Sequence, residues 1–340
     1  MSDEAPAPRR RRPRYSGKYP RRFEEKYKEL QPEKYPETVA RVLASGKTPA
    51  GMHVPIMVRE ILDVLRPQPG DRMIDCTLGY GGHAREILSR LQPGGHLIGL
   101  DVDPIEQPRA EQRLRALGSG PEIFTTRRAN FAALPRIVAE TGPVDGILAD
   151  LGVSSMQLDT PERGFSVKTA GPPDMRMNPA KGLSAAELLV RTSAENLAVL
   201  LRENADEPRA VPLAERLAGR RFALTTDLAD AIRTALKHLP AEEQDRSVRR
   251  VFRALRIAVN DEFGVLDTLL RHLPDCLAPG GRVAILTFHS GEDRRVKKAF
   301  EAALAEGRCS AVAEDVLRPT PAETRANPRA TSAKLRWARK

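Results

Sequence analysis

A short apolar run, RMID, leads into a turn carrying Gly79, Gly81 and Gly82, and the turn leads into HAREILSRL, whose apolar residues recur at helical spacing. Strand, glycine turn and helix in that order make an α/β unit. Glycine reaches backbone regions closed to a Cβ and lets a ligand lie against the main chain, so the turn reads as a binding loop. The rhythm then repeats. HLIGLDVD (His96 to Asp103) reads as a second buried strand ending in acids, Pro104 opens a helix through Leu117, EIFTTRRAN is a weaker third strand, and VDGILADLGV (Val144 to Val153) is a fourth. Strands alternating with helices need right-handed crossovers and hence a mainly parallel sheet.

After the fourth strand the alternation stops. From Leu183 to about Leu239, Leu and Ala recur at spacings of three and four, and Ser184 with Glu187 forms a capping box, so an all-helical domain is inserted here. One long helix is expected from Val248 to Leu277, then GGRVAILTFHS as a fifth strand, GEDRRVKKAFEAAL as its helix, and weak strands near Val312 and Leu335. The expected division is a basic, aromatic, partly disordered arm over 1–50, an α/β domain over 51–158 and 248–340, and a lid with the helical insert over 159–247.

Charge separates the ends from the middle. Residues 1–50 hold 13 Lys and Arg against 7 Asp and Glu, residues 311–340 hold 7 against 3, and the span between is balanced at 35 each. The whole excess of +10 therefore sits on two terminal segments, which read as basic arms for a polyanion, nucleic acid by default. Tyr15, Tyr19, Phe23 and Tyr27 add rings suited to stacking on single-stranded RNA. No stretch approaches the roughly 18 apolar residues of a membrane span. The Pro- and Arg-rich start lacks the apolar core of a secretory signal, and Cys76, Cys276 and Cys309 have no disulfide or zinc spacing. A reducing cytoplasm is the expected compartment.

Gly79, Gly81 and Ala84 formally satisfy the dinucleotide pattern, so an NAD-dependent oxidoreductase is one reading. Asp75 argues against it. A pyrophosphate at this turn would face a buried carboxylate, whereas S-adenosylmethionine carries a sulfonium and an ammonium and no phosphate, so the same acid attracts it. Asp101, 22 residues beyond Gly79 at a strand end, is placed to accept the ribose hydroxyls, and Asp103 reads as a helix cap before Pro104. Asp150 ends the fourth strand beside the crevice where such sheets bind ligands. A carboxylate there can orient an amine for methylation, localising its lone pair and relieving it of a proton; capping the turn with Ser154 and Ser155 is its structural alternative.

HVPIMVREIL, DCTLGYGGHA, GLDVDP, DGILADLGVSSMQLD, RGFS, GPPDMRM, RALRIAVNDE and FHSGEDRRVK occur in that order across roughly 250 residues. Together they resemble the ribosomal RNA small subunit methyltransferase H family, also called MraW. The resemblance implies a class I S-adenosylmethionine-dependent methyltransferase fold (Rossmann-like) interrupted by a helical domain, and methylation of N4 of a cytidine in the decoding region of 16S ribosomal RNA on a small subunit. It implies cofactor contacts at Gly81, Gly82, His83, Asp101, Phe131, Asp150 and Gln157, to which the electrostatic argument adds Asp75 and Gly79.

The segment RGFSVKTAGPPDMRMNP is too polar and irregular for a core element and reads as a substrate lid, with Arg163, Lys168 and Arg176 for phosphates and Phe165 for a splayed base. His289, at the end of the fifth strand, is the expected contact to the target base. Its neighbour Ser290 does not make a hydrolase, because no G-x-S-x-G elbow surrounds the pair. Two stretches depart from the family pattern. DRSVRRVF replaces a His-Pro-Ala motif, and Gly291 replaces a leucine, which is expected to widen the rim of the crevice. A non-catalytic ribosome-assembly factor on the same fold is the rival from another class, and the choice between monomer and homodimer stays open.

Overall fold

In the computed structural model residues 55–340 are described; the arm expected over 1–50 lies outside them. Four short strands with apolar faces, β1 (Arg72–Asp75), β2 (His96–Asp101), β3 (Phe124–Arg128) and β4 (Val144–Asp150), lie parallel, joined through α2 (Gly82–Leu91), α3 (Glu106–Ala116) and α4 (Leu134–Thr141). β5 (Leu277–Thr287) continues the parallel set beside β4. β7 (Lys334–Arg339) then pairs antiparallel with β5, and β6 (Ala311–Val312) antiparallel with β7. The order β3-β2-β1-β4-β5-β7-β6 reverses direction between β1 and β4, which is where doubly wound sheets open a ligand crevice. This is the class I methyltransferase architecture that the sequence leads one to expect.

Successive strand residues feed opposite faces. Met73, Leu97 and Leu148 pack with Ile61 of α1 (Val58–Leu65), Ile87 and Leu114 on one side. Ile74, Ile98 and Ile147 pack on the other with α4, α11 (Glu262–Cys276) and α12 (Ser290–Ala305). Each fully buried Leu or Ile of this kind contributes about 1.5–3 kcal/mol. With both faces covered, functional polar groups are left to the strand ends.

Between β4 and β5 stand two short turns, α5 (Ser155–Asp159) and a 3₁₀ turn (Pro161–Arg163), then the helices α6 (Ala185–Arg191), α7 (Ala194–Ala205), α8 (Ala210–Leu217), α9 (Thr225–Ala235) and α10 (Ala241–Asn260). Leu197, Leu201, Leu213, Leu228, Ile232 and Leu255 form their common core. The expected capping box is present, with Ser184 Oγ accepting from Glu187 N–H and Glu187 accepting from Ser184 N–H.

Three expectations need correction. The single helix over 248–277 is two helices, because Asp261 adopts the left-handed conformation (φ 48°) and ends α10. Asp tolerates that region better than most residues, and its carboxylate lies over Gly264, where a Cβ would come within 2.6 Å of it. The boundary at 247/248 falls inside α10, whose Val248, Val251, Phe252 and Leu255 are buried in the helical core. The C-terminal basic segment is no free arm: Lys334 Nζ and Arg336 Nε lie 2.9 and 2.7 Å from the Asp293 carboxylate, inside the sheet layer. No helix among the described residues is long and apolar enough to cross a membrane.

Candidate active site

All parallel strands end at one edge, and β1, β2 and β4 each end there in an aspartate: Asp75, Asp101 and Asp150. Backbone N–H groups hold the first two. Asp101 Oδ2 accepts from Gly79 N–H and Oδ1 from Asp103 N–H, both at 2.8 Å, so this acid clamps the glycine turn to the loop after β2. Asp75 Oδ1 accepts from Thr77 N–H at 3.0 Å. Thr77 Oγ1 accepts in turn from Asp150 N–H at 2.7 Å, so one hydroxyl stitches β1 to β4 at the switch point.

The glycines are there for space and conformation. Gly81 sits at φ 85°, and a Cβ on it would come 3.2 Å from Leu114; one on Gly82 would come 3.1 Å from Pro55. Substitution would strain the backbone and push the turn into the crevice.

Burial raises all three aspartates. Asp75 is pushed up to about 6 by desolvation, against His83 and the Thr77 hydrogen bond, which lower it. Asp101 is pushed to about 6 by desolvation, against its two backbone hydrogen bonds. Asp150 reaches about 7, by desolvation and then by the charge of Glu292. His83, also buried, is lowered by desolvation. Its Nε2 lies 2.9 Å from the Ile56 carbonyl, and its Nδ1 lies 3.6 Å from Asp150 Oδ2. The crevice thus gathers carboxylates with little positive charge to answer them.

The other expected residues divide by what they touch. Gln157 is buried and donates to Asp103 Oδ2 at 2.8 Å, while completing a capping box with Ser154. Phe131 is half-buried in a 3₁₀ turn just after β3, packed on the sheet core. Asp103 caps α3, accepting from Ile105 and Glu106 N–H.

Four of the substrate candidates have internal partners. Arg163 puts Nη1 at 2.7 Å from Asp103 Oδ2 and donates from Nη2 to the Arg176 and Met177 carbonyls, so it braces its own segment from within. Phe165 is 7% exposed and belongs to the helical core, which offers no face to a base. Arg176 forks onto the Asp174 carboxylate beside it. His289 is not at a strand end but caps α12: its Nδ1 accepts from Glu292 N–H, and its Nε2 lies 3.1 Å from Glu292 Oε1. Lys168 alone of the set is exposed. Gly291 does not widen the crevice either. It is buried, and a Cβ there would come 2.7 Å from Phe263, whose ring occupies the space.

Residues missed from the sequence include Thr77, Asn260 and Glu292. Asn260 accepts from Met177 N–H and donates to the Met175 carbonyl, pinning that segment to α10. Buried Glu292 stays below the ordinary glutamate range, because the His289 hydrogen bond and charge and the Arg256 guanidinium outweigh its desolvation. The Thr77–Asp150 and Asn260 contacts have no local sequence signature, since their partners lie on other elements, whereas Glu292 meets His289 only three residues away at a helix start, a spacing the sequence does display.

A cationic, phosphate-free ligand fits this donor set. The sulfonium and ammonium of S-adenosylmethionine supply the charge that Asp75, Asp101 and Asp150 lack, the glycine turn leaves room against the main chain, and Asp101 has lone pairs left for hydroxyls.

The profile of the MraW methylase family matches residues 50–340. Ribosomal RNA small subunit methyltransferase H 1 of Lachnoclostridium phytofermentans is 51% identical over 338 residues, covering 97% of this chain and 92% of its own. Ribosomal RNA small subunit methyltransferase H 2 of Alkaliphilus metalliredigens is 51% identical over 339 residues, covering 97% of each chain. A Myxococcus xanthus relative, ribosomal RNA small subunit methyltransferase H, is 41% identical over 301 residues, covering 84% of this chain and 96% of its own. With an acid-lined glycine turn at the switch point of the sheet and a family match across every described residue, the chain belongs to the MraW methylase family.

Proposed function

We propose that this protein methylates N4 of a cytidine in the decoding region of 16S ribosomal RNA, acting in the cytoplasm on the small ribosomal subunit. The names of its relatives support ribosomal RNA of the small subunit as the substrate. The observation that carries the amine reading is Asp150, a carboxyl at the end of β4 pushed up to about 7, beside the glycine turn.

When bound, S-adenosylmethionine supplies an electrophilic methyl group on a positively charged sulfur. Asp75, Gly79, Gly81, Gly82 and Asp101 would hold the donor. Asp150 accepts a hydrogen bond from the exocyclic amine, whose lone pair is otherwise delocalised into the ring, and so aims it at a methyl carbon about 3 Å away. Near neutrality this carboxyl is also a proton acceptor of suitable strength. No metal or covalent enzyme intermediate is needed.

Incubating unmethylated small subunits with isotopically labelled S-adenosylmethionine, followed by nucleoside mass spectrometry, tests the reading. Label on the cytosine amine is the expected result. Label on a ring carbon or a ribose oxygen overturns the substrate assignment, and tight subunit binding without label favours the assembly-factor reading.

A further inference from the structure

We infer that His83 is a positioning residue that shares with Asp150 the proton given up by the amine substrate. The inference rests on the amine-methylation reading above and assigns to His83 a role other than contact with the donor.

The geometry fixes the tautomer. A carbonyl oxygen only accepts, so the 2.9 Å contact to Ile56 requires the hydrogen of a neutral His83 ring to be on Nε2. Nδ1 then presents a lone pair toward Asp150 Oδ2, 3.6 Å away. A lone pair facing an ionised carboxylate repels it; a proton placed between them turns the repulsion into a hydrogen bond. The pair therefore binds one proton more firmly than Asp150 alone. The gap exceeds a hydrogen bond by about half an ångström, which a small side-chain rotation closes.

The surroundings favour keeping that proton. Asp75, Glu323 and Glu86 face His83, and Glu323 is held in place by Met57 N–H at 2.7 Å. Glu292 and Asp75 face Asp150; Arg256 and Arg253 act on Glu292, and Arg256 is itself engaged by Glu262. The Thr77 hydroxyl meets the backbone N–H of Asp150 and donates to Asp75, leaving the Asp150 carboxylate to His83. Desolvation pushes both members toward their neutral forms, His83 downward and Asp150 up to about 7. His289 is engaged with Glu292 instead.

The balance is simple. For each methyl group gained, the amine nitrogen loses one proton: its N–H bond breaks with the electron pair left on nitrogen, an O–H bond forms on Asp150, and the proton is shared with His83 Nδ1 before passing to solvent. Nothing is oxidised or reduced.

His83→Gln separates this role from a structural one, because its carboxamide N–H still donates to Ile56 but has no group that titrates. We expect S-adenosylmethionine affinity within about threefold of wild type by calorimetry, kcat lower by about 10–100-fold, and the acid limb of kcat moved to lower pH by about half a unit. A variant with wild-type kcat and an unmoved limb overturns the inference. Nitrogen-15 NMR of histidine-labelled protein, without donor or RNA, decides the matter even if that variant fails to fold. His83 Nε2 should stay protonated while Nδ1 responds over the range of the activity limb, and Asp150→Asn should abolish that response. A bare Nε2, or an Nδ1 response indifferent to Asp150→Asn, overturns it. Wild-type product methylated elsewhere than on an amine removes the underlying reading instead, so the two failures are distinguishable.

Discussion

The guanidinium of Arg163 lies 2.7 Å from the carboxylate of Asp103, and both side chains are buried. Asp103 N–H also donates to Asp101, so the segment around Arg163, the loop after β2 and the acid that ends that strand form one bonded unit. An arginine expected to grip RNA is thus a strut behind the site.

Arg163→Ala should therefore cost about 3–5 kcal/mol of stability in denaturant titration, the penalty for leaving a buried carboxylate unpaired. The salt dependence of RNA binding should not change. If Arg163 instead contacts a phosphate, the slope of log affinity against log salt falls by about one while stability holds.

The raised aspartates set a pH dependence with a definite sign. Asp75, Asp101 and Asp150 move from 3.8 to about 6, 6 and 7 on folding, so between those limits the folded state binds more protons than the unfolded chain. Their contribution is fully present below 3.8 and is lost as pH rises through about 7. In thermal unfolding, the donor-free protein should lose Tm between about pH 4 and pH 7, and Asp150→Asn should flatten that slope. Across the same window S-adenosylmethionine should stabilise increasingly more than its uncharged thioether product. Equal shifts from both ligands at about pH 8 would contradict an electrostatic role for these acids.

Gly291 and Phe263 share one volume. Gly291→Leu should destabilise by about 1–3 kcal/mol through overpacking, and adding Phe263→Leu should restore most of it. A double-mutant cycle on urea midpoints measures the coupling. Additive losses would mean that the ring does not fill the place of the missing side chain.

The Thr77 hydroxyl donates to Asp75 Oδ1 at 3.4 Å and accepts from Asp150 N–H at 2.7 Å, joining the two strand ends. Thr77→Val keeps the shape but leaves the Asp150 N–H without its acceptor, an expected loss of about 1–3 kcal/mol. Methyl transfer should slow beyond what the lost stability explains, with kcat falling at saturating donor. A variant with wild-type kcat would show that the stitch does not position Asp150.

Local patterns carried the sheet, the glycine turn, the three strand-end acids and the helical insert, because alternation, turn chemistry and capping are properties of neighbouring residues. Asp75, Asp101 and Asp150 were legible for the same reason: parallel strands that end alike end at one edge. What each polar side chain faces was decided only in three dimensions. Arg163 and Asp103 are 60 residues apart, and Asn260 meets Met175 across 85, so nothing in either neighbourhood announces the bond. Phe165, Arg163 and Arg176 looked available to RNA by composition, yet packing buried the ring and the first guanidinium, and an adjacent carboxylate engaged the second. A buried charge or polar group must find a partner wherever the fold brings one, and the fold, rather than the spacing of residues along the chain, chose Asp103 for Arg163, Asn260 for the Met175 carbonyl and Asp150 for His83.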